Sequence, residues 1–142
     1  MKQKELKLSE EQIRKACVDL LEIDGWRNLR TNPTSDRSRG KGFGEVGMAD
    51  DLFIRYGFTQ ACSMCPNAGD GPTYCLTCRS AAQVLFIEWK APKGKAAGHQ
   101  LAWHEAERAR GALTWIATID FPPDYDGFKA HYLSSGLARS IR

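Results

Sequence analysis

An uninterrupted apolar, β-prone run, Val84-Leu85-Phe86-Ile87, leads directly into Glu88-Trp89-Lys90. Such a run predicts a buried strand, and residues 82–90 are read as the central strand of a sheet. Side chains two apart along a strand share a side. Glu88 and Lys90 therefore leave the core aimed at one spot, and any fold built around this strand must place an acid and a base together at its end.

The flanking pattern supplies the rest of the layers. Ser9 and Gln12 have capping-box spacing, and Glu10 and Glu11 suit the positive end of a helix dipole. The apolar face of that first helix runs Ile13, Cys17, Leu20, Leu21 and stops near Asp24-Gly25. By its spacing from Ile13 and Cys17, Glu10 shares that face, whereas Glu11 goes with Lys15 and Val18. Further strands are expected at 25–32, 49–58 and 112–121, and further helices at 98–111, with Gly111 as C-cap, and 126–137. The order α-β-β-β-α-β-α specifies an α/β fold with a mixed β-sheet flanked by helices.

At 142 residues the chain is expected to form a single domain, 1–142, with a core of its own. No apolar stretch approaches the length of a membrane span, and the opening residues carry no secretory signal. The expectation is an intracellular protein, cytoplasmic or nucleoid-associated, with no membrane partner. The formal net charge of +3 permits nucleic-acid binding without requiring it.

Cys62, Cys65, Cys75 and Cys78 form two C-x2-C pairs separated only by residues 66–74. Each pair can grip one Zn²⁺ as a chelate, and two pairs complete a tetrahedral all-cysteine site. A redox C-x-x-C accounts for one pair but not for both. Residues 59–81 are therefore expected to be an inserted zinc-binding subdomain, a knuckle projecting from the hairpin between strands 49–58 and 82–90. A closed site of four thiolates has no open position, so its role is read as structural.

In "GMADDLFIR" strand parity sends Asp50, Leu52 and Ile54 to one side and Asp51, Phe53 and Arg55 to the other. If this strand pairs with 82–90, Asp50 reaches Glu88 and Lys90, and Glu10 reaches the same place from the first helix. Clustered carboxylates raise one another's pKa unless a cation lies between them, and Mg²⁺ or Mn²⁺ is the natural cation for oxygen ligands. A metal on Asp50, Glu88 and the main-chain carbonyl of Trp89, with Lys90 beside it, describes phosphodiester hydrolysis. The plainer alternative is a solvated Glu-Lys pair and a turn at Asp50-Asp51.

The ordered set of Glu10 in the first helix, "GMAD" (47–50) opening a strand, "FIEWK" (86–90) ending the next, and "GHQLAWHEAERARGALTWIAT" with Gln100 and Gly111 resembles the VRR-NUC branch of the PD-(D/E)XK nucleases. That resemblance implies a restriction-endonuclease-like core with the zinc-knuckle insertion as a departure. It implies Asp50 and Glu88 as ligands of catalytic Mg²⁺ or Mn²⁺, Lys90 as the catalytic lysine, Glu10 as a metal or nearby acid, and Gln100 as a helix residue facing the centre. Ala49 stands where the family often has Pro, and Asp51 remains an alternative to Asp50. Family members include Holliday-junction and flap-type nucleases, so branched or flapped DNA is the implied partner, with a homodimer suited to a two-fold symmetric substrate.

Arg27, Arg30, Arg37, Arg39 and Lys41 lie in or beside the Gly- and Ser-rich stretch 33–47, and Lys93 and Lys95 follow the Glu88-Trp89-Lys90 segment. They are candidates for backbone phosphate contacts. The competing functional classes are a non-catalytic, zinc-containing nucleic-acid-binding module and a zinc-stabilised protein-interaction domain.

Overall fold

Three antiparallel strands and one parallel strand form a single four-stranded mixed sheet in the order β1-β2-β3-β4. The computed structural model describes residues 8–31, 47–56 and 82–141. Helix α1 (Glu10–Ile23) precedes β1 (Arg27–Arg30), β2 (Asp51–Tyr56) and β3 (Ala82–Glu88). Helix α2 (Gly98–Ala109) then crosses to β4 (Leu113–Ile116), and α3 (Tyr125–Ser134) follows. The chain is thus an α/β fold in which every strand and helix expected from the sequence is present.

Helix α1 starts at a complete capping box. Gln12 N–H donates to Ser9 Oγ at 3.2 Å, and Ser9 N–H donates to Gln12 Oε1 at 2.8 Å, satisfying two donors that the helix geometry leaves unpaired. Its buried face, Ile13, Cys17, Val18, Leu20 and Leu21, packs on one side of the sheet against Phe53, Leu85 and Ile87. Phe128 and Tyr132 of α3 complete that core. On the opposite side α2 covers β3, where Trp103 meets Phe86 edge-on with ring centroids 5.2 Å apart. Strand β3 is therefore buried on its α1 side and covered on the other face at Phe86, while Val84 on that face stays exposed.

Several elements are shorter than their sequence patterns: β1 covers only Arg27–Arg30 of 25–32, β3 stops at Glu88, and β4 and α3 also end early. Strand β4 ends at Ile116, because the Asp120 carboxylate accepts the Ile116 N–H at 2.7 Å and Thr118 turns the chain at φ 76°. Helix α3 ends at Ser134, and Gly136 beyond it takes the left-handed conformation (φ 77°) that stops a helix.

A second polar core ties the C-terminal segment to the end of α1. Buried Asp24 accepts from Arg55 Nη1 at 3.1 Å, from the Arg139 N–H at 2.9 Å, from the Ser140 N–H at 2.6 Å, and from the Tyr132 hydroxyl. The Arg55 guanidinium, itself buried, stands 4.2 Å from the centroid of the Trp26 ring. Among the described residues, no helix is long and apolar enough to cross a membrane.

Candidate active site at the ends of β2 and β3

Register builds the site. Strands β2 and β3 run antiparallel with Asp51 opposite Ile87, so the residue before β2, Asp50, comes level with the end of β3. The Asp50 Oδ2 accepts the Trp89 N–H at 2.9 Å, and the Asp50 carbonyl accepts the Thr31 N–H at 3.0 Å. Gly47 makes the approach to Asp50 feasible. It has φ +84°, and a Cβ there would strike the main-chain carbonyl of His99 in the first turn of α2. Glycine in this turn thus lets the entry to β2 close onto α2.

Glu88 is 1% exposed, yet polar groups reach it from several directions. Its Oε1 receives Lys90 Nζ at 2.5 Å and also Gln100 Nε2, while its Oε2 is buried with no hydrogen-bond partner among the described residues. Burial pushes the Glu88 carboxyl up to about 7; the Lys90 hydrogen bond opposes that rise, and the negative charges of Asp50 and Glu10 add to it. The field of Glu10 thus reaches Glu88, although its own side chain is exposed at the start of α1. Glu10 is thus near enough for its charge to act on Glu88, but it is exposed rather than part of the buried face of α1.

Gln100 is held in place from its own helix. Its Oε1 accepts the Ala97 N–H at 2.8 Å, capping α2, and this turns Nε2 towards Glu88.

The neighbouring acid is used differently. Asp51 is fully buried and accepts four hydrogen bonds: Arg14 Nε and Nη2, each at 2.6 Å, Asn28 Nδ2 at 3.0 Å and Trp89 Nε1 at 2.7 Å. A carboxylate has about four lone-pair positions, and here all are taken. Asp51 is held on the α1 side of the sheet, whereas Asp50 accepts the Trp89 N–H and is near enough for its charge to raise the Glu88 carboxyl.

Whether these residues suit a divalent cation follows from the orphaned oxygen and the donor set. Among the described residues, no three His, Cys, Asp or Glu side chains come together as a ready-made metal cage. What is present is a pair of neighbouring carboxylates, Asp50 and Glu88, one with a buried oxygen that lacks a partner among the described residues. Mg²⁺ typically binds through one or two carboxylates and keeps several waters, so the donor set fits a hydrated Mg²⁺ or Mn²⁺ rather than a fully protein-caged ion.

The basic candidates among the described residues are scattered. Arg30 lies opposite Asp51 and reaches Glu11 at 3.5 Å, and exposed Arg27 lies at the far end of the β1–β2 pair, opposite Ile54. Lys93 and Lys95 are exposed in the segment between β3 and α2. Arg37, Arg39, Lys41, Cys62, Cys65, Cys75 and Cys78 lie outside the described residues, as does the expected zinc-binding subdomain 59–81.

The side chain of His104, one helical turn beyond Gln100, is fully buried near the site. Burial, helped by the charges of Arg108 and Lys90 and opposed by Asp120, lowers its pKa to about 4. Both ring nitrogens lack a partner among the described residues. Its spacing of four from Gln100 was the available signal.

No family model, curated protein or solved structure matches this chain.

Proposed function

We propose that this chain is a metal-dependent, structure-selective DNA endonuclease with a restriction-endonuclease-like core of the VRR-NUC kind, hydrolysing phosphodiester bonds. The observation that carries the reading is Glu88: a buried carboxylate beside Asp50, with one oxygen unpartnered among the described residues and the other shared by Lys90 and Gln100. A solvated surface ion pair, the plain alternative for a Glu-x-Lys strand end, would be exposed and worth little.

Asp50 and Glu88, with the Trp89 main-chain carbonyl and Glu10 nearby, would hold Mg²⁺ or Mn²⁺. When bound, such an ion supplies charge neutralisation at the phosphate and acidifies water. Lys90 carries a compact ammonium, already aimed at the Glu88 carboxylate, that stabilises negative charge developing on the phosphoryl oxygens. Gln100 holds Glu88 in one orientation, and the Asp50 bond to Trp89 N–H holds the two acids level. Lys93 and Lys95, with the arginines of the 33–47 stretch, would grip backbone phosphates, whose contacts position a duplex without reading its sequence. The four cysteines would hold a structural Zn²⁺, a proposal that rests on their spacing. Branched or flapped DNA is the proposed substrate, and a homodimer would suit two-fold symmetric junctions.

The test is cleavage of labelled duplex, flapped, forked and four-way-junction DNA in Mg²⁺ or Mn²⁺, with Lys90→Ala alongside. Cutting that requires the metal and disappears in the variant supports the nuclease. A folded, zinc-loaded chain that binds DNA in either metal but never cuts it would be a nucleic-acid-binding module instead.

A further inference from the structure

Adjacent acids grip Trp89 at two points. Asp50 accepts its main-chain N–H at 2.9 Å, and Asp51 accepts its indole N–H at 2.7 Å. Trp89 is the residue between Glu88 and Lys90, so whatever fixes its backbone and ring fixes the two side chains that flank it. The ring is buried and wedged against Phe121 and Phe128, with centroids 6.0 Å and 5.4 Å away. Asp51 is itself immobilised by the paired bonds from Arg14 and by Asn28. Strand parity keeps Asp51 on the α1 side, away from Glu88, so any influence on the site must pass through Trp89.

We propose that Asp51, braced by Arg14, is a positioning residue of the candidate site, acting through the Trp89 indole to hold Glu88 and Lys90 in register with Asp50. The inference rests on the nuclease reading above. A purely structural Asp51 would need its donors only to satisfy a buried carboxylate, and each donor would then be equivalent. A positioning Asp51 makes the indole donor special, since that one alone leads to the site.

Trp89→Phe and Asn28→Ala separate the two. Each removes one hydrogen bond to Asp51, but only the first cuts the link to Glu88 and Lys90, and Phe keeps most of the ring packing. The full-length, zinc-loaded chain is compared by kcat and KM for DNA cleavage and by the Mn²⁺ concentration giving half of the metal-induced rise in melting temperature. Trp89→Phe is expected to lower kcat at least ten-fold and to raise the Mn²⁺ requirement several-fold, with Asn28→Ala within about three-fold of wild type in both. Equal effects of the two variants, tracking their melting temperatures, would overturn the proposal while leaving the nuclease reading intact. If Trp89→Phe does not fold, Arg14→Lys serves in its place, keeping the charge but loosening the two-pronged brace. Wild-type kcat and Mn²⁺ response in that variant would equally overturn the proposal. A wild-type chain that neither cuts DNA nor responds to Mn²⁺ removes the nuclease reading itself, and the positioning role with it.

Discussion

Gln100 donates its side-chain amide to the same Glu88 oxygen that receives Lys90, and its carbonyl is occupied by capping α2 at the Ala97 N–H. One side chain therefore does two jobs, and the helix cap decides which end of the amide faces the site. On the proposed nuclease reading, Gln100→Ala removes a hydrogen bond to a charged group, a loss of about 1.5–3 kcal/mol, or roughly 10- to 150-fold in kcat/KM. Gln100→Glu is expected to do worse, because it sets a like charge against Glu88. Steady-state cleavage kinetics of both variants check this, and a Gln100→Glu variant faster than Gln100→Ala would contradict it.

Gly47→Ala is expected to be among the most damaging single-methyl changes in the chain. The added carbon must adopt a left-handed backbone and displace the His99 carbonyl at the start of α2. Together these should cost about 2 kcal/mol or more. Urea denaturation would show a lower midpoint, and cleavage should fall more than the folded fraction does, since the same turn delivers Asp50.

Glu88 makes stability depend on pH in a defined direction. Its ordinary value is 4.5 and its folded value is about 7, so between these the unfolded chain has released a proton that the folded chain keeps. Folding stability contributed by this group is complete below pH 4.5 and is lost as pH rises through 7, at up to about 1.4 kcal/mol per pH unit. Glu88→Gln should flatten that slope in denaturant titrations across the window between those two values. Mn²⁺, which needs the ionised form, should stabilise the wild type more above the folded value than below it.

His104 works with the opposite sign. Its folded value of about 4 lies below the ordinary 6.5, so its contribution is complete above 6.5 and is lost as pH falls through 4. Replacing it by Leu removes two buried ring nitrogens that lack partners among the described residues. His104→Leu should match or exceed the wild type in stability near neutral pH and exceed it clearly at about pH 5, inside that window. A lower melting temperature in the acidic sample would show that the imidazole has a partner it needs.

Asp24→Ala strips the acceptor from Arg55, Tyr132, Arg139 and Ser140 together and leaves Arg55 buried without its carboxylate. The expected cost is about 3–5 kcal/mol. Burial alone would raise the Asp24 carboxyl, but bonds from Tyr132, Ser140 and Arg139 overcome it and hold the group near 2. That stability is present above the ordinary 3.8 and is lost as pH falls through 2, which acid titration of wild type against Asp24→Asn would reveal.

What could be read from the residues alone was local in origin. The Ser9/Gln12 capping box, the buried face of α1 and the strand at Val84–Ile87 are all legible in local spacing and composition, and the order of elements follows from them. Strand parity also separated Asp50 from Asp51. It could not say which of them faces the core, because that depends on Arg14 and Trp89, 37 and 38 positions from Asp51 along the chain. Periodicity likewise gave the helical face of Glu10 but not its exposure, which depends on what packs around the first turn of α1. The burial of His104, the dual role of Gln100 and the close pass of Gly47 over α2 were likewise decided only when β2, β3 and α2 met. Hydrogen-bonding period and side-chain alternation act between near neighbours and are written in the sequence. The saturation of Asp51, and the burial of a Glu88 oxygen with no partner among the described residues, arise where distant segments meet, and only tertiary packing creates those.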